Sequence, residues 1–497
     1  MVKDLKFNLV GKIIVAVSII AAIVFCVFLC LNSLVPLKFK IIICAVLGVL
    51  FGAFMFCQFT RPKVLRIIIM AVSVLLAIAL GFGTYYLIRI QSTLNSVTSN
   101  IIYKTDNMIV VTRSDSGLRS ITEAQDCVFG IQTTADLENT TKMIAHIEKE
   151  FGTALNVRRY QSIHELVTAL LNREVQAIIY NEAFDPIIAD LFPEYKQDVK
   201  TLYKYGFEIE IVVPKPDADE DNKGDDGDKT PSKPKDTFVT TNPFCVYVSG
   251  IDVDGPISMT SRSDVNIIMA VNPITKKILL VTTPRDYYVK IPGISGEMRD
   301  KLTHAGIYGV DASMKTLSAL YNVDISYYLR VNFTSLLTVV DALGGVDVHS
   351  DYEFYTTYEH YHIKKGMNHL NGDQALCFCR DRYSFPDGDN QRGKNQQAVL
   401  EGILKKAMSP AILLRANELL NAVGGSMETN MSPEEIGSLV EMQLSDMASW
   451  EFESMAATGS SDINTCFSLG SYQVYVMWPN EKSLNDISAK LQEVLAK

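Results

Sequence analysis

Three uncharged apolar runs in the first ninety residues constrain this chain more than any other feature. Ile13–Leu31, Ile41–Phe59 and Ile67–Ile88 hold 19, 19 and 22 residues without a charge. Each is long enough to cross roughly 30 Å of hydrocarbon as a helix. Three such runs in tandem read as membrane spans rather than buried core helices, and a cleaved leader would still leave the second and third behind. Lysine and arginine set the orientation. Lys3, Lys6 and Lys12 precede the first run, Arg61, Lys63 and Arg66 separate the second from the third, and only Lys38 and Lys40 occupy the other loop. The positive-inside rule then predicts a cytoplasmic N-terminus and an extracellular chain after Ile88.

At 497 residues the chain exceeds one ordinary core, so several domains are expected. The reading divides it into three transmembrane helices over 1–90, an α/β accessory domain over 91–213, a disordered linker over 214–238 and a larger α/β domain over 239–497. In the accessory domain, Met108–Thr112, Val128–Gln132 and Ala177–Tyr180 read as strands, and Thr140–Phe151 and Ser162–Asn172 as amphipathic helices. The phrases from Tyr160 to Asn172 and from Val175 to Ala183 resemble one lobe of extracellular solute-binding domains, without implying a particular ligand. Pro214–Asp236 is rich in Pro, Gly, Lys and Asp and too polar to build a core. Its acidic run lacks the twelfth-position glutamate of an EF-hand, so it reads as a solvated tether. The net charge of -10 argues against a nucleic-acid partner, which calls for a basic face.

Nine cysteines divide into four in the spans and five beyond them: Cys127, Cys245, Cys377, Cys379 and Cys466. An odd set with no zinc spacing reads as small core hydrophobes rather than as a disulfide framework.

The chemistry gathers between Asp252 and Gln396. Phe244–Ile251, Val265–Val271 and Lys277–Thr283 read as three consecutive antiparallel strands, with Asn272–Lys276 as the turn between the last two. That order brings Asp252, Arg262, Asp264 and Arg285 to one edge of a sheet. Ala375–Arg382 reads as an extended segment with Arg380 and Arg382 on one face and Cys377, Cys379 and Asp381 on the other. A helix is expected to follow, running to about Met408, with Asp389, Arg392 and Gln396 in a single stripe. Further helices are expected near Leu413–Val423 and Pro433–Ser445. Arginine forks match phosphate oxygens and stay charged, and aspartates among them suit a hard cation sharing those oxygens. The chemistry indicated is phosphoryl transfer, which depends on positioning and charge stabilisation.

Gly250-Ile-Asp252, Arg262-Ser-Asp264, Pro284-Arg-Asp286, Val331-Asn-Phe333, Asp341 to Val346, Arg380-Asp-Arg382 and Gly388-Asp-Asn-Gln-Arg392 stand in the order and spacing of the LytR–CpsA–Psr family. The resemblance runs from about Phe244 to the C-terminus, and the N-terminal arrangement looks like its streptococcal capsule-attaching branch. It implies an αβα-sandwich catalytic domain with a central mixed sheet. It also implies transfer of a glycopolymer (capsule, teichoic acid or similar) from an undecaprenyl-diphosphate carrier to peptidoglycan through a phosphodiester. By the same resemblance Asp252, Asp264 and Asp389 would hold Mg²⁺, with Mn²⁺ as an alternative. Arg262, Arg285, Arg380, Arg382, Arg392 and Gln396 would bind the diphosphate. Arg285 and Asp264 are read as the catalytic pair; the chemistry leaves open which carboxylate takes the acceptor's proton, with Asp264 the candidate although metal ligation competes with that duty. The polyprenyl chain would enter an apolar groove. Lys301-Leu-Thr-His304 departs from the family pattern and leaves His304 without a direct role. His360 and His362 read as surface residues, and Asp286 as an orienter of Arg285. Two alternatives share the site: a polyprenyl-diphosphate phosphatase using water as acceptor, and a non-catalytic lipid-diphosphate sensor or assembly factor.

Overall fold

The computed structural model describes the chain apart from residues 1, 33–34, 61, 98–100, 213–237, 252–260, 386–387, 410–421, 423–426 and 497. The tether expected at Pro214–Asp236, all of the helix expected at Leu413–Val423 except Ala422, and Asp252 lie outside the described residues.

The three apolar runs form helices α1 (Val2–Leu31), α2 (Leu37–Thr60) and α3 (Lys63–Val97). Each is long and apolar enough to cross a membrane. Their outward faces carry Val17, Val49 and Leu75 in the open, which fits a hydrocarbon surround rather than water. The buried Ser18 hydroxyl is shared between Ile14 O of its own helix and Ser73 O of α3. Lys38 donates to Ser445 O, and α3 lies against the segment Met427–Thr429 and the helix Pro433–Asp446. The start of α2 therefore sits on the same side of the helices as the folded units, as alternating spans require.

The smaller α/β unit is a five-stranded sheet of β1 (Ile101–Arg113), β2 (Val128–Gln132), β3 (Asn156–Tyr160), β4 (Ala177–Asn181) and β5 (Val199–Val212), ordered β3-β2-β4-β1-β5. β3, β2 and β4 run parallel, and β1 is antiparallel to both its neighbours. Helices α4 (Leu137–Phe151) and α5 (Ile163–Leu171) cover it. Ser162 caps α5 by accepting from Glu165 N, so the polar residue before the apolar run marks the start of the helix.

The larger unit is a six-stranded mixed sheet. Its strands are β6 (Phe244–Ile251), β7 (Ser263–Asn272), β8 (Lys277–Thr282), β9 (Tyr327–Asn332), β10 (Met427–Thr429) and β11 (Glu451–Ala456), ordered β10-β9-β6-β7-β8-β11. The expected β6-β7-β8 meander is antiparallel throughout, while β9 and β11 join its flanks in parallel. Asn272 makes the β7–β8 turn by accepting from the N–H groups of Ile274 and Thr275, the Asx geometry that favours asparagine there. Alternate residues enter opposite layers. Tyr247, Ile268 and Leu279 pack with Leu317, Tyr321 and Leu491. Val246, Ile267 and Leu280 pack with Leu400, Ile436 and Leu439. The result is an αβα sandwich, and its central strands read as continuous apolar runs because both faces are covered.

The two units are fused by one apolar cluster. Ile163, Leu166, Leu170 and Ile188 of the smaller unit pack with Tyr288, Ile307, Cys466, Leu469 and Val476 of the larger. His164 stacks on Tyr472 across the junction at 4.5 Å. Every cysteine is a free thiol, and Cys245, Cys377, Cys379 and Cys466 are buried.

Candidate functional site

A cleft opens where the ends of β6, β7 and β9 meet helices α6 (Phe333–Ala342), α7 (Gly372–Arg380) and α8 (Asp389–Ala407). Its mouth carries Asp264, Arg285, Arg380, Arg382, Arg392 and Gln396. Its floor is aliphatic, with Val248, Val265, Ile267, Leu336, Leu376, Val399, Leu400 and Ile403. A charged mouth over an apolar trough suits an amphiphile with an anionic head.

The sheet edge delivers its residues as the strand order requires. Asp264 is the second residue of β7 and Arg285 follows β8, so their side chains meet at 3.2 Å. Thr303 Oγ1 also donates to Asp264 at 3.0 Å. Gly306 permits that contact: a Cβ there would meet Ser263 N and Ser261 O at 2.7 and 2.8 Å. Burial pushes the Asp264 carboxyl up, but Arg285, then Arg262, the Thr303 hydroxyl and Arg392 more than offset it, leaving it below its ordinary range. Asp286 lies 3.6 Å from Arg285 Nε and 2.8 Å from Lys301 Nζ, so it sits where an orienter of Arg285 should. Arg262 reaches across the domain junction, with Nη1 donating to Asp190 of the smaller unit at 2.6 Å. Its Nε is buried with no hydrogen-bond partner among the described residues, and Arg262 stands behind the residues that line the cleft rather than among them.

The other wall corrects the sequence reading. Ala375–Arg380 is helical, the end of α7, and only Asp381 and Arg382 continue extended. Asn371 and Gln374 form a reciprocal capping box that starts this helix. Ala375, Phe378 and Cys379 are buried at helical spacing. A five-residue apolar run fits strand and helix alike, and the cap decides it. Arg380 and Arg382 still reach the same mouth, but from a helix end and the segment after it. Cys377 and Cys379 do not share a strand face. Burial pushes their thiols up, to about 11 and about 12.

Arg380 lies between the rings of Phe333 and Tyr358, at 4.6 and 4.8 Å, and Arg382 covers Tyr383 at 4.6 Å. Such contacts are worth about 0.5–2 kcal/mol each and hold a guanidinium without consuming its donors. Gly372 allows α7 to lie against Leu337 O of α6, where a Cβ would collide. On α8, Arg392 and Gln396 line the cleft as the stripe requires. The side chain of Asp389, at the first turn of α8, is outside the described residues. Gln396 Nε2 donates to Cys379 O and Asn395 Nδ2 to Phe378 O, so α8 is pinned to the end of α7. Gln397 pins it to the sheet through Leu280 O and Met455 O.

Several functional positions were not picked out from the sequence. Buried Asp381 accepts from Thr357 N at 2.6 Å and Ser384 N at 3.1 Å. It thereby ties the segment between the two arginines to the hairpin Phe354–Ile363. Phe333, Tyr358 and Thr303 hold charged groups, and Asp190 comes from another unit altogether. The only sequence signals were Asp381 inside Arg-Asp-Arg and Phe333 inside Val-Asn-Phe. His304 is buried with Asp300 and Ser468 rather than placed among the residues that line the cleft, its Nδ1 2.6 Å from Asp300 Oδ1. His360 and His362 are exposed, and among the described residues no cluster of His, Cys, Asp or Glu could hold a metal ion.

Comparison with known proteins gives the following. The LytR_cpsA_psr family matches residues 213–493. A polyisoprenyl-teichoic acid–peptidoglycan teichoic acid transferase TagU from Bacillus cereus is 36% identical over 197 residues, 39% of this chain and 63% of that protein. TagU from Bacillus licheniformis is 32% identical over 271 residues, 54% of this chain and 83% of its own. The chain therefore spans somewhat under two thirds of the first of these relatives. Similar solved structures include "TagT bound to LI-WTA", at 28% identity and TM-score 0.42 over 52% of this chain and 92% of that one. Bacillus subtilis TagV matches at 25% and 0.44 over 51% and 98%. A second family, described as DNA polymerase processivity factor, matches residues 63–180. That stretch joins the whole of the apolar helix α3 to part of the smaller sheet, and the chain's net charge of -10 gives no support to a nucleic-acid partner.

Proposed function

The chain belongs to the LytR_cpsA_psr family, whose match spans more than half of it, and from that premise we propose that it is a membrane-anchored phosphotransferase. It moves a glycopolymer from a polyprenyl-diphosphate carrier, undecaprenyl in the expected case, to peptidoglycan. The single observation that carries this reading is the convergence of Arg285, Arg380, Arg382 and Arg392 with Asp264 at the mouth of an aliphatic cleft. The TagU relatives, named as teichoic acid transferases to peptidoglycan, support the substrate class. The three apolar helices support confinement to the surface where such a lipid resides, which raises the effective concentration of enzyme and donor for each other. Lys38 on Ser445 supports an extracellular site with the N-terminus in the cytoplasm.

In this mechanism an acceptor hydroxyl attacks the sugar-bearing phosphorus. The new P–O bond joins polymer to peptidoglycan, the P–O bond to the lipid phosphate breaks, polyprenyl monophosphate leaves, and the hydroxyl proton passes to the departing phosphate or to solvent. Arg285, held by Asp264 and Asp286, covers one side of the diphosphate, with Arg262, held by Asp190, behind it. Arg380, Arg382 and Arg392 cover the other. These preset donors favour the charge that accumulates on the leaving phosphate. Asp264 is a weak candidate for the base, because its neighbouring arginines hold it ionised. It fixes Arg285, and together with Asp252 and Asp389 it would hold Mg²⁺, or Mn²⁺. A divalent ion bound there would supply charge neutralisation on the diphosphate.

The test uses the full-length protein with a short polyprenyl-diphosphate oligosaccharide, Mg²⁺ and peptidoglycan fragments, read by mass spectrometry. A phosphodiester-linked sugar–peptidoglycan product, lost in Arg285→Ala, is the expected result. Free sugar phosphate alone would make the protein a hydrolase, and lipid bound without turnover would make it a receptor.

A further inference from the structure

One rim of the cleft is an aromatic lip whose solvent-facing ring surfaces the proposed chemistry does not use. The hairpin Phe354–Ile363 and the turn after Arg382 place Tyr355, Tyr358 and Tyr383 in solvent, at 63%, 47% and 69% exposure. Tyr358 and Tyr383 line the cleft mouth and lie against Arg380 and Arg382. Tyr355 is backed on one face by His362, with ring centroids 4.8 Å apart and planes 24° apart. His362 is itself held by Glu353 at 3.0 Å. Asp381, fully buried, joins hairpin and arginine segment into one body, and Ser384 Oγ adds a bond to Tyr355 O. The lip is therefore a fixed continuation of the anion-binding wall.

We propose that this lip is a saccharide subsite, taking the pyranose rings next to the diphosphate of the donor. The inference rests on the proposed function and deepens it. The donor's sugar is covalently tethered to the phosphate that the arginines hold, and its lipid occupies the apolar trough. The saccharide must then leave over the mouth, where the tyrosines stand. A pyranose has an apolar C–H face bordered by hydroxyls. Flat tyrosine faces suit the first, and the exposed side chains of Glu353, Glu359 and His360 suit the second. Arg380 and Arg382 lie beside the rings and Lys364 and Lys365 follow the hairpin, as in an aromatic belt, but the carboxylates of Glu353 and Glu359 at the hairpin favour the sugar over a bilayer interface.

The experiment measures equilibrium binding of the full-length protein to two probes. One is a bare short-chain polyprenyl diphosphate, and the other is the same lipid carrying a pyranose disaccharide. Tyr355→Ala is expected to weaken the sugar-bearing lipid roughly fivefold, the size of one aromatic contact, and to leave the bare lipid unchanged. Tyr355→Phe keeps the flat face and should restore binding. Tyr355→Leu keeps bulk without the face and should not. Equal loss for both lipids would reduce the lip to a structural support, and no loss for either would remove the sugar from it. Loss of binding to phosphatidylglycerol vesicles without lipid diphosphate would make the lip a bilayer contact. The underlying reading has its own arm. If Arg285→Ala binds the bare lipid as tightly as the parent protein, the diphosphate site is wrong, and the saccharide subsite falls with it.

Discussion

The smaller and larger sheets both bury carboxylates, but they neutralise them differently. In the smaller unit Asn139 donates to buried Asp106 at 2.9 Å and to Asp136 at 2.8 Å, and Asn181 donates to Asp136 at 2.8 Å. In the larger unit Asp264 and Asp286 lie against Arg285 and Lys301. An amide network closes on itself and fixes a fold. Those two pairs balance in charge, but Arg380, Arg382 and Arg392 line the same mouth and Asp264 is its one described carboxylate, so positive charge is left facing the cleft. The comparison teaches that recognition chemistry resides where cations outnumber their partners, and that the smaller unit acts on the site chiefly through Asp190.

The largest effects should separate the two units cleanly. Arg285→Lys, which keeps a cation beside Asp264 but loses the fork, is expected to lower kcat/KM by roughly two to three orders of magnitude, as loss of a preorganised charge-stabilising group does, with little change in thermal midpoint. Asn139→Ala is expected to do the reverse. Leaving Asp106 short of a donor costs about 1–3 kcal/mol of stability, while turnover per folded molecule is retained. Thermal unfolding and steady-state kinetics on the same preparations check both. A kinetic defect in Asn139→Ala without unfolding would break the comparison.

Asp190→Ala sharpens it. Asp190 is largely exposed and Arg262 is not, so the pair is screened and its loss should be modest. The expected outcome is a rise of about two- to fivefold in donor KM with kcat unchanged, and recovery in Asp190→Glu. If Arg262→Ala raises KM and Asp190→Ala does not, the smaller unit is only a scaffold.

The smallest effect is on pH. Because Asp264 is held below its ordinary value of 3.8, the stability it contributes is present above that value and is lost as pH falls through its lowered folded pKa. Urea unfolding from pH 6 down to pH 3 should show that acid limb, reduced in Asp264→Asn. Between pH 6 and 8 the carboxylate does not titrate, so a base-dependent rise in rate over that range belongs to another group. A rise abolished by Asp264→Asn would restore it as the base.

Much of this was legible in advance because it depends on local pattern. Phe244–Ile251 ends where the structure ends it, and the Asn272 turn makes the neighbouring strands antiparallel, which is why Asp264 and Arg285 meet. Ala375–Arg382 was misread because Leu-Cys-Phe-Cys alternates like a strand while Asn371 caps it as a helix. Arg380 and Arg382 nevertheless reach the same mouth, since a helix end and the residues just past it can deliver neighbouring side chains to one place. Tyr358 and Asp190 had no comparable signal, and Asp381 had only its place inside Arg-Asp-Arg: each acts through a partner 22 to 72 residues away along the chain.

By itself the sequence determined the three apolar helices, the meander and the set of arginines. Those follow from hydrocarbon thickness, side-chain period and fixed charge, all of which act within a few turns or strands. Only the tertiary structure decided which arginines share a mouth, which rings hold them, and that the smaller unit supplies a carboxylate to Arg262. Those outcomes depend on how covered sheets and capped helices pack. Packing brings distant residues to within a few ångströms through apolar burial, which has no direction of its own and leaves no local trace in the chain.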